Sequence, residues 1–199
     1  MPFGIPKVRY RRRSTDRRIW MDLYERLFKE RVLFLCKEIR MPFVTRFIAL
    51  LLLMTSEPED IYIYMNSRGG EVEASLAIYD SIKVMLPDVC TMAMGLVGSG
   101  ASLILVGGTI TKRVALPHAR VLIHQPSSAP IRKNIDGLVM EAEDMLELRN
   151  TIADIYAQKT GKPVDVIQKD LERDSFMSAT EAQDYGIVDR VAKYKKENP

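Results

Sequence analysis

Apolar residues along this chain gather into short dense runs, some of strand length and some of helix length, separated by turns rich in Gly, Pro, Ser and Asp. Residues 31–35, Arg31-Val32-Leu33-Phe34-Leu35, read as a buried strand. Residues 44–55 are too dense in apolar side chains for strand alternation and long enough for a helix, which the turn Ser56-Glu57-Pro58-Glu59-Asp60 closes. Ile61-Tyr62-Ile63-Tyr64-Met65 has the β-branched and aromatic content of a strand. It runs into Asn66-Ser67-Arg68-Gly69-Gly70, and residues 74–85 then carry helical periodicity through Leu76, Ile78, Tyr79, Ile82 and Val84. The same unit recurs at once: a strand over 89–94, a glycine turn over 95–100 and a buried helix over 101–106. Two βα units in tandem imply a parallel sheet with right-handed crossovers, and ligand chemistry then belongs at the carboxyl ends of the strands. Both glycine turns fall on that edge.

The flanking segments complete the pattern. Residues 19–28 place apolar side chains at mixed three- and four-residue spacings, which predicts a short amphipathic helix. Strands are expected over 109–116 and 120–124, separated by Pro117-His118-Ala119. Residues 125–136, with Pro126 and Pro130 and few apolar positions, should form an extended excursion from the domain. A helix follows over 138–156, stopped by Gly161-Lys162-Pro163; at about 30 Å it is long enough to project as an assembly handle. Ser178-Ala179-Thr180-Glu181 is a capping box, Gly186 a helix C-terminal cap and Ile187-Val188-Asp189 a strand, with a frayed polar tail after residue 193.

Composition narrows the class. The 199 residues, 47% apolar, suit one compact α/β domain. The longest apolar run, residues 47–54, is far shorter than the roughly 20 residues of a membrane span. No secretory signal is expected at the N-terminus. Cys36 and Cys90 sit in strand-like segments without metal-ligand spacing, so both are expected to be reduced core thiols. The net charge of +3 conceals an asymmetry: residues 1–18 hold seven Lys/Arg against Asp16 alone, leaving the remainder net acidic. Aromatic residues do not alternate with the basic ones as base stacking requires, Tyr10 being the one ring within the basic run, so the arm predicts no nucleic-acid binding.

Candidate chemistry centres on Ser99, lodged among Gly98, Gly100 and Ala101 ahead of an apolar helix. Small neighbours permit a tight turn, and a helix N-terminus offers free N–H groups to a developing oxyanion. The stretch misses the G-x-S-x-G elbow because Val97 stands where that motif has Gly. A serine needs a base, and the chain offers His118, in a turn, and His124, at the end of an apolar strand. An orienting carboxylate could come from Asp174, just before Phe176-Met177, with Asp170 and Asp184 also open. The N–H groups of Gly70 and Gly100 would supply two oxyanion donors if both glycine turns meet. No His/Cys/Glu cluster has metal-ligand spacing, so neither a metal nor a cofactor is expected.

Ordered motifs along nearly the whole chain carry a family resemblance: Met1-Pro2-Phe3-Gly4-Ile5-Pro6-Lys7-Val8, Glu30-Arg31-Val32-Leu33-Phe34-Leu35, Asn66-Ser67-Arg68-Gly69-Gly70, Ala77-Ile78-Tyr79-Asp80, Pro87-Asp88-Val89, Met94-Gly95, Ile123-His124-Gln125-Pro126, Glu172-Arg173-Asp174, Phe176-Met177-Ser178-Ala179 and Tyr185-Gly186-Ile187-Val188-Asp189. The chain resembles the ClpP family, the proteolytic subunits of ATP-dependent Clp proteases, and among them the plastid-encoded forms. The resemblance implies a crotonase-like α/β spiral of βα units with a parallel sheet and a projecting strand-plus-long-helix handle at about 125–160. It implies a basic axial segment over 1–18 and one peptidase domain over 19–193. Ser99 matches the family's nucleophile, His124 its general base, Asp174 its orienting acid, and Gly70 and Gly100 its oxyanion donors. The implied assembly is two stacked seven-membered rings around a sealed chamber, which can include inactive relatives, in the plastid stroma. An AAA+ Clp ATPase, which alone uses ATP, would thread unfolded proteins into it. That partner's docking cleft maps to Tyr62, Tyr64, Val84, Met92, Met94, Val114 and Leu116. The chain departs from the family pattern at Arg68, where Pro is usual, at Gly100-Ala101, where Met-Gly is usual, and in the basic run Arg11-Arg12-Arg13.

Overall fold

A computed structural model describes residues 4–11, 18–127 and 132–193 of the chain. The described N-terminal residues form a hairpin, β1 (Lys7–Arg11) paired antiparallel with β2 (Arg18–Asp22). The helix predicted over 19–28 is therefore half strand. Trp20 and Ile19 pair across to Arg9 and Tyr10, the Arg9 guanidinium lies 5.0 Å from the Trp20 ring, and the helix α1 (Leu23–Lys29) begins only after Asp22 caps it. A strand followed at once by a helix produces the same mixed apolar spacing that reads as one amphipathic helix. The hairpin straddles the boundary drawn at residue 18, and Arg12, Arg13 and the tail beyond 193 lie outside the described residues.

The strands β3 (Val32–Leu35), β4 (Ile61–Ser67) and β5 (Val89–Gly98) run parallel, connected by the helices α2 (Met41–Met54) and α3 (Val72–Val84) as predicted. β5 runs through the segment expected to turn. Gly95 takes φ +64, and Leu96 N–H donates to the Asn66 side-chain oxygen at 3.2 Å, so the strand kinks without ending. The kink divides its outer edge between two partners. After the buried helix α4 (Gly100–Gly107), residues 91–93 of β5 pair with β6 (Arg113–Ala115) and residues 96–98 pair with β7 (Arg120–Ile123). One strand serving two neighbours in succession is what winds the sheet into a spiral.

The strand predicted over 109–116 shrinks to β6 because Thr111 sits at φ +76 in a turn closed by Lys112 N–H to Thr109 O. Beyond β7 comes α5 (Ile135–Thr160), longer than predicted at about 39 Å. Only Ile152, Ala153 and Tyr156 are buried on it, while Ile135, Leu138, Val139 and Met140 are exposed, so its N-terminal half stands off the core. Then follow α6 (Val164–Leu171), β8 (Ser175–Ser178) antiparallel to β7, α7 (Ala179–Tyr185) and β9 (Arg190–Val191) beside β6. The capping box at Ser178 and the left-handed Gly186 cap are both present. The predicted strand at 187–189 is displaced to β9, because the N–H groups of Ile187 and Val188 still bond Ala182 O at the end of α7. Cys90 is buried as expected, but Cys36 is exposed just past the end of β3. Among the described residues no helix is long and apolar enough to cross a membrane.

Candidate active site

Beyond the Gly95 kink, Val97 and Gly98 are paired with Val121 and Leu122, and Ser99 N–H donates to Leu122 O at 3.0 Å. Ser99 takes φ 53 and ψ −129, a conformation that a residue with a side chain adopts only at a cost of order 1–3 kcal/mol. α4 starts at the next residue. Strand, strained serine and helix in immediate succession lift a hydroxyl off the sheet edge, the geometry of a nucleophile elbow despite Val97. The second glycine turn lies against it. A Cβ on Gly69, itself at φ +103, would sit 2.7 Å from both Gly98 O and Ser99 Cβ.

Gly70 is held between Ile39 N–H to Gly69 O and Glu71 N–H to Ile39 O, each 2.9 Å. That parallel bridge uses the groups flanking Gly70, so its own N–H points away from Ile39. A Cβ there would fall 2.1 Å from Ile39 O. The N–H of Gly100 belongs to the first turn of α4, where helical donors have no partner within the helix.

His124 follows β7 directly and shares with Ser99, Gly100, Ser75 and Tyr156 a pocket of about 20 Å³, space for one water. Its Nδ1 lies 2.7 Å from the Gln125 carbonyl. A carbonyl can only accept, so Nδ1 carries a proton, and in the neutral imidazole that leaves the lone pair on Nε2, the tautomer a general base needs. β8 pairs with β7 so that Ile123 faces Ser175, and the next residues outward are His124 and Asp174. Asp174 is exposed, and no hydrogen bond joins it to His124 among the described residues. His118 lies at the opposite end of β7, Asp170 accepts from the Tyr185 hydroxyl at 2.8 Å, and Asp184 is exposed on α7. Thus Ser99 and His124 meet in one pocket, with Asp174 at the adjoining strand exit. Two residues lining the pocket, Ser75 and Tyr156, and Ser102, whose hydroxyl is bonded to that of Tyr156, have no distinguishing sequence signal: they sit in apolar helical runs and read as filler. Among the described residues no cluster of His, Cys, Asp and Glu could hold a metal.

The residues expected at the partner cleft divide. Tyr64 and Met92 are register neighbours across β4 and β5, Phe34 stacks on Tyr64 at 5.6 Å, and Tyr62 is exposed two residues along the same face. Met94 and Leu116 are half-buried. Val84, the last residue of α3, is 80% exposed. Val114, the register partner of Met92 on β6, is on the same face but only 3% exposed.

A parallel sheet presenting a serine on a strained turn, an imidazole at the neighbouring strand exit and glycine amides around them defines a serine-hydrolase type of site. The Clp protease family model matches residues 14–195. The chain is 50% identical over 194 residues to the chloroplastic ATP-dependent Clp protease proteolytic subunit 1 of Arabidopsis thaliana, spanning 96% of this chain and 99% of that one. It is 50% identical to the ATP-dependent Clp protease proteolytic subunit of Vitis vinifera over the same shares, and 48% identical to that of Adiantum capillus-veneris over 96% and 97%. The chain belongs to the Clp protease family, as a Clp-type serine endopeptidase of the plastid kind.

Proposed function

We propose that this chain is a catalytically competent proteolytic subunit that cleaves peptide bonds of unfolded proteins by a Ser-His-Asp mechanism. Ser99 Oγ attacks the peptide carbonyl while His124 Nε2 takes its proton and then returns it to the leaving amine. Asp174 holds the Nδ1–H tautomer once the imidazole turns from the Gln125 carbonyl, and the N–H groups of Gly70 and Gly100 receive the tetrahedral oxyanion. The observation that carries this reading is the φ of 53 at Ser99, a strained conformation at a residue that lines one pocket with His124.

The chain uses no cofactor or metal; ATP is consumed by an AAA+ Clp ATPase that unfolds and threads substrates. That ATPase docks on the aromatic face around Tyr62, Tyr64 and Met92 and on Val84. The chain works in the plastid stroma inside a double heptameric ring with a sealed chamber, joined through the exposed apolar half of α5, in rings that also contain ClpP-like relatives. It contacts neither nucleic acid nor membrane. A silent ring member that only docks the ATPase is the second reading, and the His124–Gln125 bond is the observation in its favour. Fluorophosphonate treatment of the assembled protease, read by mass spectrometry of the Ser99 peptide, separates the two. Stoichiometric modification at Ser99 is expected; an unmodified Ser99 in an intact ring supports the silent subunit.

A further inference from the structure

The carbonyl of Ser99 accepts more hydrogen bonds than a helix start requires. Ser102 N–H reaches it at 2.9 Å, Leu103 N–H at 3.3 Å and the Ser102 hydroxyl at 2.6 Å. The Ser102 hydroxyl is in turn 2.7 Å from the hydroxyl of Tyr156, which lies 54 residues away on α5. Because Ser102 has one proton and donates it to a carbonyl, the direction of the chain is fixed: Tyr156 O–H donates to Ser102, and Ser102 O–H donates to Ser99 O. Ser102 is fully buried and Tyr156 nearly so. Burial pushes the Tyr156 hydroxyl far above its ordinary pKa, against a smaller opposing effect of Ser102, so it remains a donor at any working pH.

The Ser99 carbonyl and the Gly100 N–H belong to one rigid peptide plane and point in opposite directions. Fixing the carbonyl therefore fixes where the amide aims. We infer that Ser102 and Tyr156 are positioning residues that hold the Ser99–Gly100 peptide in the orientation that turns the Gly100 N–H toward the oxyanion. The inference deepens the mechanism above and rests on Gly100 acting as an oxyanion donor. Both hydroxyls act through the peptide and neither touches substrate. The strained torsions at Ser99 give this pin its purpose, since an unheld strained peptide relaxes and swings its amide away. Tyr156 also makes the pin depend on where α5 packs against α4.

The test is the rate of fluorophosphonate modification at Ser99 in the assembled protease, resolved by site so that other subunits serve as internal controls. Ser102→Ala is expected to lower the maximal modification rate about 10-fold with the half-saturating reagent concentration unchanged, and Tyr156→Phe about 3-fold. Because Tyr156 acts only through Ser102, the double variant Ser102→Ala/Tyr156→Phe should be no slower than Ser102→Ala, and Ser102→Thr should restore the rate. The double variant leaves no unpaired buried hydroxyl, so it keeps the test decisive if Ser102→Ala alone assembles poorly. Wild-type modification with equal rates in an assembled double variant overturns the positioning role alone. Failure of the wild type to react at Ser99 overturns the catalytic reading and this inference with it.

Discussion

Ile123 and Ser175 face each other as the last pair of the antiparallel β7–β8 ladder, so His124 and Asp174 leave their strands side by side. This register accounts for a carboxylate fifty residues from its imidazole arriving next to it without either side chain being buried in the core. Asp174→Ala is expected to lower hydrolysis of short peptides by this subunit by about 10²- to 10⁴-fold, because in the proposed mechanism the imidazole that has turned from Gln125 then lacks the carboxylate that holds its tautomer. Ring assembly and thermal stability should be unchanged, since Asp174 is exposed. Asp170→Ala, which breaks the bond from Tyr185, should show the reverse pattern of weakened stability with Ser99 still reactive. Peptidase assays paired with thermal melts distinguish the two.

Gly100 is set by space as well as by backbone. A Cβ there would come within 2.0 Å of Ser75 Oγ and 2.8 Å of Ser75 Cβ. Ser75 has little freedom to retreat, being fully buried with its hydroxyl bonded to Glu71 O at 2.8 Å. Gly100→Ala should therefore destabilise the subunit by about 1–3 kcal/mol. Adding Ser75→Gly should recover most of that loss, measured by denaturant unfolding or ring dissociation. Equal stability of Gly100→Ala with and without Ser75→Gly would refute the steric coupling.

Arg113 grips Asp189 in a bidentate contact along one guanidinium edge, Nη2 to Oδ1 at 2.7 Å and Nε to Oδ2 at 3.0 Å, with its backbone N–H adding a third bond. Burial raises the Asp189 carboxyl, yet the Arg113 hydrogen bonds and charge outweigh it and leave the pKa lowered. A lowered folded-state pKa means the contribution is complete above the ordinary aspartate value, about pH 4, and is lost as pH falls through the depressed value. The wild type should thus lose stability on acidification below about pH 4, and Asp189→Asn should flatten that part of the curve. At neutral pH Asp189→Ala should cost about 3–5 kcal/mol, because it strands a buried guanidinium. Unfolding free energies measured between pH 3 and 7 check both.

The aromatic face of β4 and β5 lies apart from the residues that carry the chemistry, so the two functions should separate by mutation. Tyr62→Ser is expected to lower ATPase-dependent protein degradation about 10-fold while short-peptide cleavage stays within about 2-fold, the loss of one interfacial aromatic anchor. Neutralising Arg11, Arg12 and Arg13 together should likewise affect protein degradation more than peptide cleavage. Parallel losses in both assays would contradict a docking role.

Periodicity is enough to find the βα units, since β4–α3 and β5–α4 each bury a dense apolar set and carry glycines in the turn between strand and helix. It failed where a long-range partner overrode local spacing. β2 exists because β1 pairs with it, β8 because β7 does, and 187–189 is coil because its amides close α7. At the site, Ser99 announced itself through its small neighbours, and His124 through its place at a strand end. The choice among Asp170, Asp174 and Asp184 depends on a strand register that no local pattern encodes. Ser75, Ser102 and Tyr156 were invisible because a buried hydroxyl in an apolar run becomes informative only when its partner is known.

Whether Ser99, His124, Asp174 and the two glycine amides form one catalytic centre is decided by a structure of the assembled protease trapped with a peptidyl fluorophosphonate. Phosphorus should be bonded to Ser99 Oγ and the phosphonyl oxygen should lie within about 3 Å of the N–H groups of Gly70 and Gly100. The His124 Nδ1 should have turned from the Gln125 carbonyl to an Asp174 oxygen. An adduct at Ser99 with His124 still on Gln125 and Asp174 remote, or an intact ring with no adduct at Ser99, would contradict a single catalytic centre.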